Sequence, residues 1–181
     1  MFFPDRIIVV DLEATCWEDE KIPEGSSIDI IEIGVCNLNI QTSTITDKQS
    51  IYVIPERSLI TDFCARLTGI TPEIIAEKGI SFSSACQKIT DEYSPMGRAW
   101  ASFGQFDQFQ LQKQCTELNV KFPFGQTHLN IKSLFALKKK FTNAKGLTKA
   151  LKIINEPFEG THHCGADDAY NAAKILREIL K

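Results

Sequence analysis

Two acids stand where an apolar strand ought to continue. In Ile7-Ile-Val-Val-Asp-Leu-Glu-Ala14, Asp11 and Glu13 interrupt a run of strand-forming residues, and the period-two geometry of a strand points both to the face of Ile7 and Val9. Neighbouring carboxylates withdrawn from water lose solvation and repel each other. One is pushed to protonate unless a divalent cation neutralises the pair. Taken alone, the pair also suits a strand end in solvent.

A second group lies near the C-terminus. His162-His163 and Asp167-Asp168 form two histidine–aspartate pairs with the same separation, so spacing does not choose between them. Helical phase does. Asp168 shares a face with Ala172, Leu176 and Ile179, whereas Asp167 shares its face with Asn171, Lys174 and Glu178. Asp168 is therefore expected to point inward, where a metal shared with Asp11 and Glu13 would partner it. Asp167 is expected to cap the helix start or to be solvated. His163, in the loop before Cys164 and Gly165, then becomes the candidate general base, since an imidazole can take a proton from a metal-held water near neutral pH. His162, one residue out of phase, is expected to be exposed or to stabilise the loop.

These groups need elements to hold them. Ile7–Ala14, Ile30–Leu38 and Ile51–Ile54 read as consecutive strands, and the short turn around Asn39–Lys48 favours an antiparallel meander. Leu59–Leu67, Pro72–Lys78 and Ser81–Tyr93 read as helices punctuated by Gly69 and Gly79. A short strand at Ala99–Phe103 precedes a helix from about Asp107 to Leu118, with Phe109, Leu111 and Cys115 as its inward residues. A strand at His128–Ile131 and helices at Ser133–Lys140, Leu147–Ile154 and Asp167–Lys181 complete the chain. The order predicts an α/β fold with a mixed sheet: three leading antiparallel strands, then alternating helices and strands, helices packed on both faces. At 181 residues and 43% hydrophobic content, one domain spanning 1–181 is expected.

The opening residues join no basic stretch to a long apolar run, so neither signal peptide nor membrane span is expected, and the sequence predicts a cytoplasmic protein. Six scattered cysteines without a CxxC pair fit reduced thiols rather than a disulfide frame or zinc finger. A net charge of −3 does not advertise a polyanion binder, yet Lys132, Lys138, Lys139, Lys140, Lys145, Lys149 and Lys152 follow one another with no acid among them. That segment is either a solvated helix face or a surface for phosphates.

Three segments resemble the motifs of the DEDDh exonucleases, a ribonuclease-H-like family, and specifically its histone-mRNA-trimming and RNA-interference-limiting branch. Asp11-Leu-Glu-Ala-Thr-Cys16 resembles the first motif, Ser102-Phe-Gly-Gln-Phe-Asp107 the looser second, and His163-Cys-Gly-Ala-Asp-Asp168-Ala-Tyr-Asn171 the third. Phe103 stands where relatives often place tryptophan, a change expected to affect packing or base stacking. Gly165 at the motif's glycine position also favours His163 over His162.

The resemblance implies a two-metal phosphodiesterase that removes nucleoside 5′-monophosphates from 3′ ends. Asp11 would bridge both ions, Glu13 and Asp168 would complete one, Asp107 would hold the other, and His163 would deprotonate the attacking water. Two Mg²⁺ ions are expected, with Mn²⁺ able to substitute. It further places Glu13, Ala14 and Thr15 at the terminal sugar, with Leu67 and Ile70 as an apolar wall, Trp17 as a stacking group and His163 beside the substrate. The partner implied is a nucleic acid with a free 3′ end, RNA favoured over DNA. The alternatives are a catalytically silent nucleic-acid-binding module, a DNA-directed exonuclease and a calcium-binding structural protein. The filled catalytic positions oppose the first, and no loop-borne Asp-x-Asp-x-Asp-Gly pattern supports the last.

Overall fold

The computed structural model describes residues 2–19 and 21–181. Its strands are β1 (Arg6–Ala14), β2 (Ile30–Asn39), β3 (Ile45–Tyr52), β4 (Trp100–Ser102) and β5 (His128–Asn130). They form one sheet in the order β3-β2-β1-β4-β5. The first three make the antiparallel meander, and β4 and β5 run parallel to β1. The helices are α1 (Asp62–Thr68), α2 (Pro72–Lys78), α3 (Phe82–Tyr93), α4 (Phe106–Glu117), α5 (Ile131–Lys138), α6 (Leu147–Ile153) and α7 (Gly165–Ile179).

Strand alternation divides the core into two layers. Ile8, Val10 and Leu12 pack with Phe82 and Ile89 of α3 and with Leu111 and Cys115 of α4. Ile7 and Val9 pack on the other face with Phe135, Leu151, Ala169, Ala172 and Leu176. Each large aliphatic side chain so buried is worth roughly 1.5–3 kcal/mol. Alanines along α7 let it lie close to the sheet. Closest of all is Gly34 on β2, where a Cβ would fall 1.8 Å from the carbonyl carbon of Gly165. The hydroxyls of Thr61, Thr71 and Ser81 cap α1, α2 and α3 by accepting backbone N–H bonds. Among the described residues no helix is long and apolar enough to cross a membrane.

Several boundaries differ from expectation for physical reasons. The third strand begins at Ile45, not Ile51, because it is an edge strand whose exposed Thr46, Asp47 and Lys48 carry no apolar signal. It bulges opposite Cys36, with Asp47 at φ 54° and its carboxylate accepting from Asn37 Nδ2 at 2.9 Å. Ile131 opens α5 and does not end β5. Phe109 faces solvent at 58% exposure, since the inner arc of α4 is taken by Asp107, Gln110, Leu111, Gln114 and Cys115. Gln110 Nε2 donates to the Ile28 carbonyl and Gln114 Oε1 accepts from the Ile30 N–H, so polar side chains are buried there to satisfy backbone.

Candidate active site

Asp11 and Glu13 lie on β1 on the α7 side of the sheet, opposite Gly34 and Glu32 of β2. Asp107 sits in the first turn of α4, where its Oδ1 accepts from the Leu12 N–H at 3.1 Å, docking the helix start on β1. Asp168 lies in the first turn of α7, buried as helical phase predicts. One of its oxygens, Oδ2, accepts from the His163 N–H at 2.9 Å. The other, Oδ1, is buried without a hydrogen-bond partner among the described residues. Asp11, Glu13, Asp107, His163 and Asp168 all line one cleft of about 340 Å³, together with Phe103, Phe106, Leu147 and His162.

Burial and repulsion dominate the electrostatics. Burial, then the charges of Glu32, Asp168 and Asp107, pushes Glu13 up to about 8. Burial, then Asp107, Asp168, Glu13 and Glu32, holds Asp11 well above the usual carboxylate range. Asp107 is also raised by burial, against the opposing hydrogen bond from Leu12. Asp168 is raised by burial, against the His163 N–H and the two histidines. Crowded carboxylates with an unpartnered buried oxygen are what a divalent cation relieves. Glu13, His163 and Asp168 each offer a ligand atom within 4.8 Å of the others, so the donors fit a divalent cation. That trio contains the histidine, whereas the sequence pointed to an acid-only set.

The loop before α7 is organised by residues the sequence left in minor roles. Asp167 is neither solvated nor a simple cap: its carboxylate accepts from Lys48 Nζ at 2.5 Å and from the Thr161 N–H at 2.7 Å. The bulge in β3 brings Lys48 to it. Gly160, at φ 91°, leaves room for that carboxylate, which a Cβ would meet at 2.2 Å. Asn171 and Lys174, read as the outward face, are buried. Asn171 Nδ2 donates to the Glu159 and Asp167 carbonyls, and Lys174 Nζ bonds Glu159 Oε1 at 2.9 Å. The 157–160 segment covers them. His163 takes a left-handed backbone at φ 60°. His162 Nδ1 stands 3.7 Å from Asp168 Oδ1, its ring 3.7 Å from that of Phe158.

Glu32 was missed entirely. It is 1% exposed, accepts from the Gly165 and Ala166 N–H groups at 2.9 and 3.3 Å, and takes the Ser50 hydroxyl at 2.5 Å. A carboxylate on the unpaired N–H groups of a helix start offsets both the dipole and the burial. Its signal was present: an acid inside Ile30-Ile-Glu-Ile33 breaks an apolar strand just as Asp11 does.

Beside the acidic cleft, Thr15, Cys16, Trp17, Ile28, Phe63 and Leu67 help line a more apolar cavity of about 310 Å³. Trp17 and Leu67 thus line one cavity. The Thr15 hydroxyl is engaged with the Asp29 N–H at 2.9 Å, and Ala14 ends β1 half-buried. Ile70 is not a wall of this cavity; it is 3% exposed and packs with Ile31, Cys64 and Ile75. In the lysine segment, Lys138 Nζ donates to the Glu178 and Ile179 carbonyls at 2.8 Å, closing the end of α7. All six cysteines are free.

Known proteins resemble this chain in sequence and in fold. Human 3′-5′ exoribonuclease 1 is 31% identical over 187 residues, which cover 98% of this chain and 53% of that protein. ERI1 exoribonuclease 2 of Xenopus laevis is 28% identical, with 98% of this chain and 29% of that protein covered. The chain therefore spans about half the length of the first relative and under a third of the second. The nuclease domain of 3′hExo, a DEDDh family member solved bound to rAMP, superposes with a TM-score of 0.87 at 31% identity, covering 97% of this chain and 92% of that one. Exonuclease I, at 13% identity and a TM-score of 0.72, shares the fold. The family model described as Exonuclease (RNase_T) matches residues 8–176, from the strand carrying Asp11 to the helix carrying Asp168, and the chain belongs to that family.

Proposed function

We propose that this chain is a metal-dependent 3′-to-5′ exonuclease that removes nucleoside 5′-monophosphates from single-stranded RNA. The observation carrying the reading is the convergence of Asp11, Glu13, Asp107 and Asp168 with His163 in one cleft, with Asp168 Oδ1 buried and without a hydrogen bond among the described residues. Acids so crowded destabilise the metal-free state, and two oxygen-ligated Mg²⁺ ions held by Asp11, Glu13, Asp107 and Asp168 suit them. When bound, the ions supply charge neutralisation at phosphorus and activation of water.

The chain's own residues do the rest. His163, with its backbone fixed by Asp168, accepts the proton of the attacking water at its ring nitrogen. Leu12 holds Asp107 in place through its N–H. Glu32 anchors the first turn of α7, so Asp168 is set by helix and sheet together. The apolar cavity with Trp17 and Leu67 receives the terminal base, which favours action at an end over internal cleavage.

RNA as the substrate draws support from relatives: one was solved with rAMP, and a 3′-exonuclease with a TM-score of 0.87 was solved in recognition of the 3′ end of a histone mRNA stem-loop. The test is incubation of 3′- and 5′-labelled RNA and DNA single strands with Mg²⁺ or EDTA. Stepwise shortening from the 3′ end that requires metal and runs faster on RNA is expected. Internal cuts alone, or no cleavage by folded protein, overturn the reading.

A further inference from the structure

The outer face of α4 runs against the usual amphipathic order. The helix buries Gln110 and Gln114 but leaves Phe106 and Phe109 at 51% and 58% exposure. Each ring thus keeps about half of its surface in water, apolar area that burial elsewhere in the fold would have rewarded. Residues 106, 109 and 113 fall on one contiguous arc at helical spacing, so the stripe reads Phe106, Phe109, Lys113. Lys113 is half-exposed, its one ion pair among the described residues a loose 3.9 Å contact with Glu117. Phe106 lines the acidic cleft itself. The stripe is thus continuous with the site and leads away from it, two aromatic faces followed by a cation. Sequence-tolerant binding of single strands uses that combination: rings under bases, and a positive charge beside the backbone.

We propose that this stripe is the track for the unpaired strand behind the scissile bond, with Phe109 stacking on the base of the penultimate nucleotide and Lys113 meeting a phosphate beyond it. The proposal rests on the exonuclease reading for its substrate. It makes α4 a selector for single-stranded 3′ ends, because a base held in a duplex cannot lie on Phe109.

The test is a heptaribonucleotide carrying 2-aminopurine at the penultimate position and a non-hydrolysable methylenephosphonate at the terminal linkage, titrated into the full chain with Mg²⁺. Stacking quenches the probe. Phe109→Ala is expected to weaken binding about fivefold or more and to remove most of the quenching, the scale of one base–aromatic stack. Phe109→Trp restores both, and Lys113→Gln flattens the salt dependence. Equal affinity and equal quenching for native protein and Phe109→Ala overturn the track. Hydrolysis of a p-nitrophenyl nucleoside 5′-monophosphate, which has no penultimate base, separately tests the exonuclease reading. Stacking without hydrolysis sinks that reading and keeps the surface; hydrolysis without a stacking difference does the reverse.

Discussion

Asp168 holds the backbone N–H of His163 with one carboxylate oxygen and keeps the other free of any hydrogen-bond partner. A single side chain thus places the candidate base and leaves a ligand atom available to a divalent cation.

Asp168→Asn separates those duties. The amide oxygen can still accept from His163, but a negative charge leaves a crowded cluster. Turnover is expected to fall by about 10³-fold or more, as for loss of a group acting directly in the transition state, while the metal-free protein melts higher than the native one. A lower melting temperature in EDTA would show that the cluster is not under repulsive strain.

The adjacent histidines should behave differently. His163→Ala is expected to lower kcat by about 10²–10⁴-fold, the range for general base catalysis, and His162→Ala by less than about tenfold. Comparable losses in steady-state assays would shift the base to His162, which also stands near Asp168.

Stability without metal should depend on pH in an unusual direction. Glu13 is raised from 4.5 to about 8, so the folded state keeps a proton that the unfolded state gives up. Stability then falls as pH rises from about 4.5 to about 8. In EDTA the melting temperature is expected to drop between pH 5 and 8, each kcal/mol moving it by about 2–4 °C. Saturating Mg²⁺ favours the ionised acids and should shrink the drop. Calorimetry showing a rise toward pH 8 in EDTA would contradict this.

Gly34→Ala tests the seat of α7. Its methyl group would collide with the Gly165 carbonyl, so the helix must shift. A destabilisation of about 3 kcal/mol or more is expected by denaturant titration, with activity falling ahead of secondary structure. A silent substitution would mean that α7 docks more loosely.

Lys138→Ala should weaken the fold rather than substrate binding. The amine closes carbonyls at the end of α7, a contact of about 1 kcal/mol. The salt slope of oligonucleotide affinity is expected to be unchanged. A slope reduced by about one would place Lys138 on a phosphate instead.

What the sequence conveyed, and what it hid, follows from the reach of each signal. Period-two alternation placed Asp11 and Glu13 on the α7 side, and helical phase chose Asp168, because both are local consequences of backbone geometry. The same phase misjudged Asn171 and Lys174. Their burial comes from the 157–160 segment folding over them, a tertiary event with no periodic trace. Phe109 was read as inward because apolar residues usually are, yet Gln110 and Gln114 hold that arc through backbone bonds to Ile28 and Ile30. Strand β3 began earlier than expected since an edge strand need not be apolar. Glu32 was legible by the rule that flagged Asp11, while its role required knowing that α7 starts above it.

The close seat of α7 also bears on when the centre comes into being. The β1–β3 meander forms from contacts near in sequence, whereas docking Gly165 on Gly34 requires closing most of the chain into a loop. A molecule with only the meander folded has Asp11 and Glu13 but neither Asp168 nor His163 beside them. Partly folded chains are therefore expected to be chemically silent. Under mild denaturant, undocking of the last helix should extinguish activity while the sheet still stands.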